Sequence, residues 1–403
     1  MLEQVISNKS GWTRVAFGDV VRLSKERAKD PEAEGYQRIV GLEHIDPGDL
    51  RIRRWADIAD GTTFTSVFKP GKVLFGKRRA YQRKVAVADF AGVCSGDIYV
   101  LEPSSDALMP ELLPFICQTD AFFDHAVGTS AGSLSPRTNW KSLASFEFLL
   151  PPIQEQVRLV EVITAGISAK EALHWSFTAL QEVNSAMIDE RMRGAHFAKG
   201  TRHEKVGEYY QHWSVCPLGD LLKEAQYGLS VEAGSSGQYP MLRMMNLEAG
   251  RVVENDMKYI DLNDKNFSKY RLRKGDVLFN RTNSYDLVGR TGVYDLPGDH
   301  VFASYLVRLI TNEDQIDPEY LCAFLNAPIG RRQVMSFATR GVSQTNVNAS
   351  NLKRILVPLP PLDYQKKTVK LMRANYAASR AIANRMRALS GLISKVISET
   401  TTS

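Results

Sequence analysis

The sequence predicts a mixed α/β protein in which two similar α+β domains are joined by two long antiparallel coiled-coil helices. Three observations lead to this fold class: an internal repeat with a period near 200 residues, strand-like segments inside each copy, and a proline-free heptad pattern after each copy. Two copies joined in this way would be related by a pseudo-two-fold axis. Such an arrangement suits a partner that is itself two-fold, such as duplex DNA.

The repeat begins with a tryptophan motif. Residues 12–21 read Trp-Thr-Arg-Val-Ala-Phe-Gly-Asp-Val-Val, and residues 213–222 read Trp-Ser-Val-Cys-Pro-Leu-Gly-Asp-Leu-Leu, at an offset of 201 residues (213 − 12). Three further anchors follow in the same order, at offsets of 204, 209 and 209: Lys69–Phe75 with Arg273–Phe279, Asn139 and Leu143 with Asn348 and Leu352, and Leu150–Ile153 plus Gln156 with Leu359–Leu362 plus Gln365. The period is too long for a solenoid, so each copy should be a domain plus a connector.

These anchors divide the chain into four parts: a first domain over 1–150, a central helix over 151–200, a second domain over 201–358 and a C-terminal helix over 359–403. Strands are predicted in both domains at Lys72–Phe75, Val85–Ala88, Ile98–Leu101, Phe146–Leu150, Asp276–Asn280, Gly292–Tyr294, Tyr305–Ile310 and Arg354–Leu359. Helices are predicted at Met109–Ile116, extending toward Val127, and at Pro318–Leu325, extending toward Phe337.

The two connectors follow a Pro-Pro pair, which suits a helix N-terminus because proline lacks a backbone N–H. Neither connector contains an interior proline, and apolar residues recur in each at seven-residue spacing. The predicted seam consists of Leu173, Leu180 and Met187 in the first helix and Ile382, Leu389 and Val396 in the second. Each helix could pack only on its own domain. Antiparallel pairing of the two would instead make them a ruler about 60 Å long.

Composition sets broad limits on function. The chain has 403 residues, a net charge of +6 and a pI near 9.0, which permits nucleic-acid binding without requiring it. No segment approaches the ~18 apolar residues of a membrane span. Four scattered cysteines suit reduced thiols, so a cytoplasmic location is expected.

Common enzyme signatures are missing. The sequence has no phosphate-binding loop, no G-x-G-x-x-G and no H-E-x-x-H, and its histidines and acids form no spaced metal cluster. An adenine methyltransferase would place an aromatic residue after Asn- or Asp-Pro-Pro, to stack on a flipped base. Here Ile153 and Leu362 follow the Pro-Pro pairs. The chain is therefore expected to be non-catalytic, without a metal or cofactor of its own.

The strongest DNA-binding candidate is a basic run directly after a predicted strand. Arginine and lysine bind phosphates, arginine clamps guanine, and glutamine pairs with adenine. The run could also be a solvated surface loop. Its candidate residues are Lys77, Arg78, Arg79, Tyr81, Gln82, Arg83 and Lys84. At the equivalent place, the second half has Arg281, Thr282, Asn283 and Ser284, with Arg290 nearby.

A second pair of loops, rich in glycine and in hydroxyl or amide side chains, precedes the Pro-Pro helices. Such loops allow close approach to phosphates and base edges, although Asn139 and Asn348 could equally cap short helices. The candidates here are Ser133 and Arg137 in the first loop and Arg340, Ser343, Gln344 and Asn346 in the second. A third matching place, at residues 41–44 and 243–246, adds Arg243 and Asn246 as weaker candidates.

The ordered set of motifs resembles the specificity subunit of a type I restriction–modification system. The resemblance covers nearly the whole chain and rests on Trp12 with Gly18-Asp19, on residues 72–79, on the Leu-Pro-Pro-(Ile/Leu)-x-x-Gln repeats and on the duplicated helices. It implies two target-recognition domains, each reading one half of a bipartite site on double-stranded DNA. It also implies helices that set the spacer and dock two methyltransferase subunits, which would carry S-adenosylmethionine and methylate adenine, and a restriction subunit for cleavage.

Three other functions remain open from the sequence. The chain could be a stand-alone DNA-binding regulator, a coiled-coil adaptor for proteins alone, or a self-sufficient enzyme whose motifs are unusual. Co-purification with a methyltransferase chain distinguishes the first from a specificity subunit. Salt-dependent DNA affinity excludes the second, and methylation or cleavage by the purified chain alone would indicate the third.

Inserting one heptad at matching positions of both helices should lengthen the permitted spacer between the two DNA half-sites. The reason is that each added residue lengthens a helix by about 1.5 Å. The spacer can be measured by mapping modified sites in cells that carry the altered chain. An unchanged spacer would contradict the ruler hypothesis.

Overall fold

The computed structural model describes residues 9–197, 200–341 and 344–399. The chain forms two compact units: Met1–Trp175 together with Ala383–Ser403, and Ser176–Ile382. Each unit combines an α+β domain with one segment from each of two long helices. The predicted mixed α/β class is therefore confirmed, and each unit can be described by itself.

The first unit contains two four-stranded sheets and one two-stranded sheet, with the orders β2-β9-β6-β7, β4-β3-β8-β5 and β1-β10. Its strands are β1 (Thr13–Ala16), β2 (Val21–Leu23), β3 (Arg38–Val40), β4 (Ala56–Asp57), β5 (Ser66–Phe68), β6 (Val73–Gly76), β7 (Val85–Val87), β8 (Gly92–Cys94), β9 (Ile98–Pro103) and β10 (Glu147–Leu150). Its helices are α1 (Phe17–Val20), α2 (Leu113–Cys117), α3 (Asp120–Gly128), α4 (Trp140–Ala144) and the beginning of α5 (Ile153–Arg193).

The second unit repeats this plan around the sheet β14-β23-β19-β21-β17-β16. Its strands are β11 (Gly200–His203), β12 (Gly207–Tyr210), β13 (Ser214–Pro217), β14 (Leu222–Tyr227), β15 (Tyr239–Leu242), β16 (Leu247–Glu248), β17 (Arg251–Val252), β18 (Lys258–Ile260), β19 (Val277–Asn280), β20 (Thr282–Asn283), β21 (Thr291–Val293), β22 (Val301–Phe302), β23 (Leu306–Thr311), β24 (Thr339–Arg340), β25 (Thr345–Asn346) and β26 (Leu356–Leu359). Its helices are α6 (Asp264–Tyr270), α7 (Pro318–Asn326), α8 (Pro328–Ser336), α9 (Ala349–Leu352) and the part of α10 (Leu362–Glu399) that ends at Ile382.

The sequence repeat corresponds to one repeated strand pairing. In the first unit β1 pairs antiparallel with β10, with Thr13 opposite Leu150, and in the second β13 pairs with β26, with Ser214 opposite Leu359. The glycine of each Gly-Asp motif lies against the short helix before the second strand. A Cβ at Gly18 would lie 2.8 Å from the Cβ of Ala144, so no larger residue fits there without movement.

A buried glutamine joins each long helix to its own domain. The Gln156 side chain donates to the carbonyls of Ala107 and Pro151, at 2.8 Å each, and accepts from the Met109 N–H at 2.8 Å. Gln365 makes the same three bonds in the second unit, to Gln315 O and Pro360 O at 2.9 Å each and from Asp317 N at 2.9 Å. Both glutamines are completely buried. We call these two sets of bonds the glutamine clamps.

The long helices run antiparallel within each unit. In the first unit Gly166 of α5 faces Leu389 and Ile393 of α10, and a Cβ at Gly166 would lie 2.9 Å from Ile393. In the second unit the Asn375 amide of α10 donates to the Met187 sulfur of α5 at 3.5 Å. The predicted seam residues Leu173, Leu180, Met187, Ile382 and Leu389 are half-buried, and Val396 is buried.

Two predicted helices are each divided in two. The helix expected from Met109 toward Val127 forms α2 and α3, because the Thr119 hydroxyl caps a new N-terminus by accepting from the Phe122 N–H at 3.2 Å. The helix expected from Pro318 toward Phe337 forms α7 and α8, because Pro328 cannot continue the helix before it. The predicted central strands agree with β6, β7, β9, β19, β21 and β23 to within about two residues.

Apolar cores lie between these helices and the central sheets. All four cysteines are free thiols, and three are buried. Burial raises the pKa of the Cys94 and Cys322 thiols to about 12, so both stay neutral at physiological pH. Among the described residues, no helix is both long and apolar enough to cross a bilayer.

Replacing Gln156 with Leu should lower the free energy of unfolding by about 2–4 kcal/mol, because it leaves a buried N–H and buried carbonyls without partners. Urea unfolding measures this loss. Gln154→Leu is the matched control, because Gln154 is exposed on the same helical turn. Equal stability of the two variants would contradict a role for the clamp.

Candidate nucleic-acid interface

In the first unit, the two loops predicted to bind DNA come together at the end of the central strand β6. The Lys77 N–H donates to Asp97 O at 2.9 Å, and the Thr138 N–H donates to Lys77 O at 3.0 Å. The backbones of Arg78 and Arg137 form an isolated antiparallel β-bridge, and Arg137 forms a second one with Ala131. The basic run is therefore backed by the hairpin of residues 128–139. We call residues 77–84, Asp97 and this hairpin the first patch.

The second unit builds the same arrangement at the end of β19. The Arg281 N–H donates to Tyr305 O at 2.9 Å, and the Val347 N–H donates to Arg281 O at 2.8 Å. Strand β20 pairs with β25, which pairs with β24. Residue 282 thus takes the place of 78, and 346 takes the place of 137, at the repeat's own offsets of 204 and 209 (282 − 78 and 346 − 137). We call residues 281–285, Tyr305, 339–341 and 344–346 the second patch.

Asp97 organises the charge of the first patch. Its carboxylate accepts from Arg137 Nε at 2.8 Å and from Arg78 Nη1 at 3.3 Å, and it is about one-fifth exposed. The hydrogen bond from Arg137 lowers the pKa of Asp97 below its usual value; burial opposes this effect, and Arg78 lowers the pKa further. Arg78 also donates to the Ser135 hydroxyl at 3.2 Å. One carboxylate therefore holds two partly exposed guanidinium groups side by side.

The remaining cations of the run are also held in place. Lys77 lies over the Tyr99 ring, with its Nζ 4.8 Å from the ring centroid. Arg83 donates to the Asp120 carboxylate at 2.6 Å, and Lys84 donates to the Leu42 carbonyl at 2.6 Å. Tyr81 is 56% exposed. The run is an ordered turn in which the side chains of Lys77, Arg78, Arg83 and Lys84 contact protein groups, and Tyr81 is its most exposed large side chain.

The backbone of this turn has unusual torsion angles. Arg79 and Arg83 have φ of 53° and 55°, in the left-handed region that residues with a side chain rarely adopt. Each costs about 1–2 kcal/mol relative to an ordinary conformation. The Arg79 N–H donates to Pro136 O at 2.7 Å, while its Nε is buried and has no hydrogen-bond partner among the described residues. The hairpin therefore holds the turn in a strained shape.

The second patch replaces charge with amide and hydroxyl groups. The Asn346 amide donates to the Thr282 hydroxyl at 2.7 Å, and its carbonyl accepts from Arg281 Nη2 at 3.2 Å. The Arg281 guanidinium lies 5.0 Å from the centroid of the Tyr227 ring. A cation over a tyrosine thus occurs in both patches, although the tyrosines come from different strands.

The rim of the second patch contains most of the other predicted residues. Arg340 lies over the Tyr285 ring at 4.1 Å, and Asn283 accepts from the Ser284 N–H at 2.8 Å. Ser284, Arg290, Arg340 and Gln344 are exposed, as are Ser133 and Arg137 in the first patch. Ser343 lies outside the described residues. The structure thus brings residues 281–284, 340, 344 and 346 to one region, with Arg290 just beyond the turn.

The third matching place has a structural role, which corrects one prediction. Asn246 is completely buried; its amide donates to Val253 O and Asn255 O at 3.0 and 2.7 Å, and its carbonyl accepts from Arg243 N. A DNA contact by Asn246 is therefore wrong for this fold. Arg243 is about one-quarter exposed and bonds to the Asp256 carboxylate at 2.9 Å. In the first unit, the His44 ring closes an equivalent turn by accepting from Gly41 N at 3.0 Å.

Asn139 and Asn348, which the sequence left open, are helix caps. Their side chains accept from Ser142 N at 2.9 Å and from Asn351 N at 2.7 Å. Sequence reasoning missed Asp97, Tyr99 and Tyr227, because the repeat gives no signal for them: the place of Asp97 is taken by Tyr305 in the second unit. The described residues contain no cluster of acids, histidines or cysteines that could hold a metal ion.

Comparison with known proteins agrees with this geometry. A family model described as the type I restriction modification DNA specificity domain matches residues 210–387. A putative type I restriction enzyme specificity subunit, MjaX of Methanocaldococcus jannaschii, is 29% identical over 171 residues, which is 42% of this chain and 40% of that protein. The EcoKI specificity subunit of Escherichia coli is 25% identical over 292 residues, which is 68% of this chain and 61% of that protein.

The chain is thus similar to type I restriction enzyme specificity subunits. The aligned regions span less than two-thirds of these two relatives' own lengths. A solved structure, described as showing complex assembly and conformational transition of the type I R-M system, shares the fold of this chain. Its TM-score is 0.61 at 18% identity, with 97% of each chain covered.

Replacing Asp97 with Asn should loosen the first patch. Because the pKa of Asp97 is lowered in the folded state, its contribution to stability is complete above the unfolded pKa of about 4 and is lost as pH falls through the lower folded value. The free energies of unfolding of wild type and Asp97→Asn should therefore differ by about 1 kcal/mol at neutral pH, and the difference should shrink as the pH falls below about 4. Asp106→Asn, at an exposed aspartate, should show no such difference. A constant gap across this range would contradict the assignment.

Proposed function

We propose that this chain is the DNA-recognition subunit of a type I restriction–modification complex and reads a bipartite, asymmetric site on double-stranded DNA. The observation that carries the proposal is the repeated patch: the same backbone arrangement occurs at the end of the central strand in both units, with different side chains at equivalent places. Similarity to the type I restriction modification DNA specificity domain and to type I specificity subunits supports the same function.

The chemistry of the two patches favours different half-site sequences. The first patch offers Arg78 and Arg137 held by one carboxylate, and arginine is suited to the acceptor pair of guanine or to phosphate. The second patch has the buried Thr282 and the half-buried Asn346 at the same places, and a side-chain amide suits adenine edges. Two readers built on one frame but with different contact groups would read an asymmetric site.

The proposal assigns catalysis to partner chains. Methyltransferase subunits, two per specificity chain, would bind S-adenosylmethionine and methylate one adenine in each half-site, and restriction subunits would cleave DNA. The sequence offers no motif for methyl transfer, and the described residues offer no metal cluster. The chain itself would act by positioning its partners on the DNA, without bound cofactor and without contact with a membrane.

The decisive experiment is to co-express the chain with a candidate methyltransferase subunit and to map modified adenines in the host genome. The proposal predicts co-purification and one modified adenine in each of two different half-sites. Specific DNA binding without a methyltransferase partner would indicate a stand-alone regulator. Loss of all salt-dependent DNA affinity would indicate a coiled-coil adaptor.

Replacing Arg78 and Arg79 with Ala should weaken DNA binding by the reconstituted complex and relax specificity in only one half-site. A guanidinium that clamps a base contributes about 1–3 kcal/mol, so roughly a tenfold loss or more is expected. Competition binding with duplexes altered in one half-site measures both effects. Arg53→Ala with Arg54→Ala is the control, since both are exposed and paired with other carboxylates in the same unit. Unchanged binding by the Arg78 and Arg79 variant would show that the basic run is a solvated surface loop without a role in DNA binding.

A further inference from the structure

The two long helices differ in charge. Helix α10 contains eight basic residues and two acidic residues, whereas α5 contains four basic and six acidic residues. Helix α10 alone therefore has a net charge of +6, equal to that of the whole chain, and α5 has −2. Since the helices are copies of one design, this divergence is localised to one copy.

The charge of α10 is concentrated on one side of the helix. A row of exposed cations follows helical spacing, and its positions fall within an arc of about 100° at 3.6 residues per turn. We call this row the basic stripe; it consists of Lys366, Lys370, Arg373, Arg380 and Arg387. The buried and half-buried positions Met372, Ser379 and Met386 lie on the opposite side of the helix. The stripe therefore faces away from the seam.

Three members of the stripe have no counter-charge. Among the described residues, Lys366, Lys370 and Arg380 have no carboxylate within ion-pair distance. Arg373 pairs with Glu319, and Arg387 donates to the Asn384 amide oxygen at 2.5 Å. Uncompensated like charges along one helix face repel each other, so a purely structural role does not explain them.

The equivalent face of α5 lacks this charge completely. Subtracting the repeat offset of 209 places the stripe on Val157, Glu161, Thr164, Glu171 and Thr178. If two identical partner chains bound α5 and α10 in the same way, the equivalent faces of the two helices would be expected to have the same charge. The stripe therefore points to a partner that meets α10 alone.

The side chains between the cations argue against a protein partner. The cations of the stripe are interspersed with small residues, namely Ala374, Ala377, Ala381 and Ala388. Protein interfaces depend on aromatic or large aliphatic anchors surrounded by polar residues. The exposed aromatic residue beside the stripe, Tyr376, already has the Arg251 guanidinium 5.7 Å from its ring centroid. A row of cations separated by alanines is instead suited to phosphates, which are bound mainly by charge.

We propose that the basic stripe binds the sugar–phosphate backbone of the duplex between the two half-sites. This inference rests on the proposed function, because it places the intervening DNA along α10. Lys366 and Arg380, which lie in the same unit, are 14 residues apart in one helix (380 − 366), a distance of about 21 Å at about 1.5 Å per residue. Duplex DNA carries about one phosphate charge per 1.7 Å of its axis, so a row of this length can face several phosphates.

The test is the salt dependence of DNA binding. The triple variant Lys366→Gln, Lys370→Gln and Arg380→Gln removes three unpaired cations. In the reconstituted complex, on a duplex carrying both half-sites, the slope of log affinity against log salt should become shallower by about 2–3. The matched control is Lys205→Gln, Lys223→Gln and Lys265→Gln, which removes the same charge from exposed positions outside the stripe. Equal slopes for the two triple variants would overturn the inference.

A chemical variant of the DNA locates the contact. Neutral methylphosphonate linkages placed only in the spacer should lower the salt slope of the wild-type complex and leave that of the triple stripe variant unchanged. The same linkages outside the half-sites serve as the control. If neutral linkages in the spacer leave the salt slope of the wild-type complex unchanged, but the complex still prefers its site, this inference fails and the proposed function stands. If the wild type shows no site preference on any duplex, the proposed function fails. Thermal unfolding of each variant confirms that it is folded.

Discussion

The hydrogen bonds of two buried glutamines fix the relation between each domain and its helix. Each glutamine side chain satisfies two carbonyls and one N–H that would otherwise be buried without partners, one of the carbonyls belonging to the proline that precedes the helix. An unsatisfied buried polar group costs about 1–3 kcal/mol. Moving the first turn of the helix away from its domain would break these hydrogen bonds, so this free energy opposes the movement. The patches and the basic stripe depend on this joint, since both are positioned from elements that it connects.

Strong local signals made most of the fold predictable from the sequence. Val73, Leu74 and Phe75 form a run without polar residues, which becomes the buried central strand β6, and its repeat becomes β19. The Pro-Pro pairs placed the starts of both long helices within about three residues of Ile153 and Leu362, whereas the central helix predicted over 151–200 ends at Arg193 in the structure. The division at Thr119 was not predictable, because threonine caps a helix only when the preceding chain turns away, and that turn depends on tertiary packing.

The candidate site was predicted in outline but not in its internal chemistry. The basic run and the glycine-rich loop were identified separately, and the bridge between Arg78 and Arg137 could not be read from their positions, 59 residues apart (137 − 78). Asn246 was misassigned because the repeat marks matching positions without distinguishing a buried turn from an exposed one. Asp97 was missed because its role depends on two arginines from different loops. Repeats therefore reveal shared frameworks better than they reveal contact groups.

The framework and the contact groups occupy separate parts of each half. The paired strands, the glutamines and the close-packed glycines lie at one set of positions, while the side chains at 78, 137, 282 and 346 lie beyond the end of a central strand. The hydrogen bonds of the side chains at 78, 137, 282 and 346 are made within the patches. A protein organised in this way can exchange those side chains during evolution without first acquiring a new scaffold.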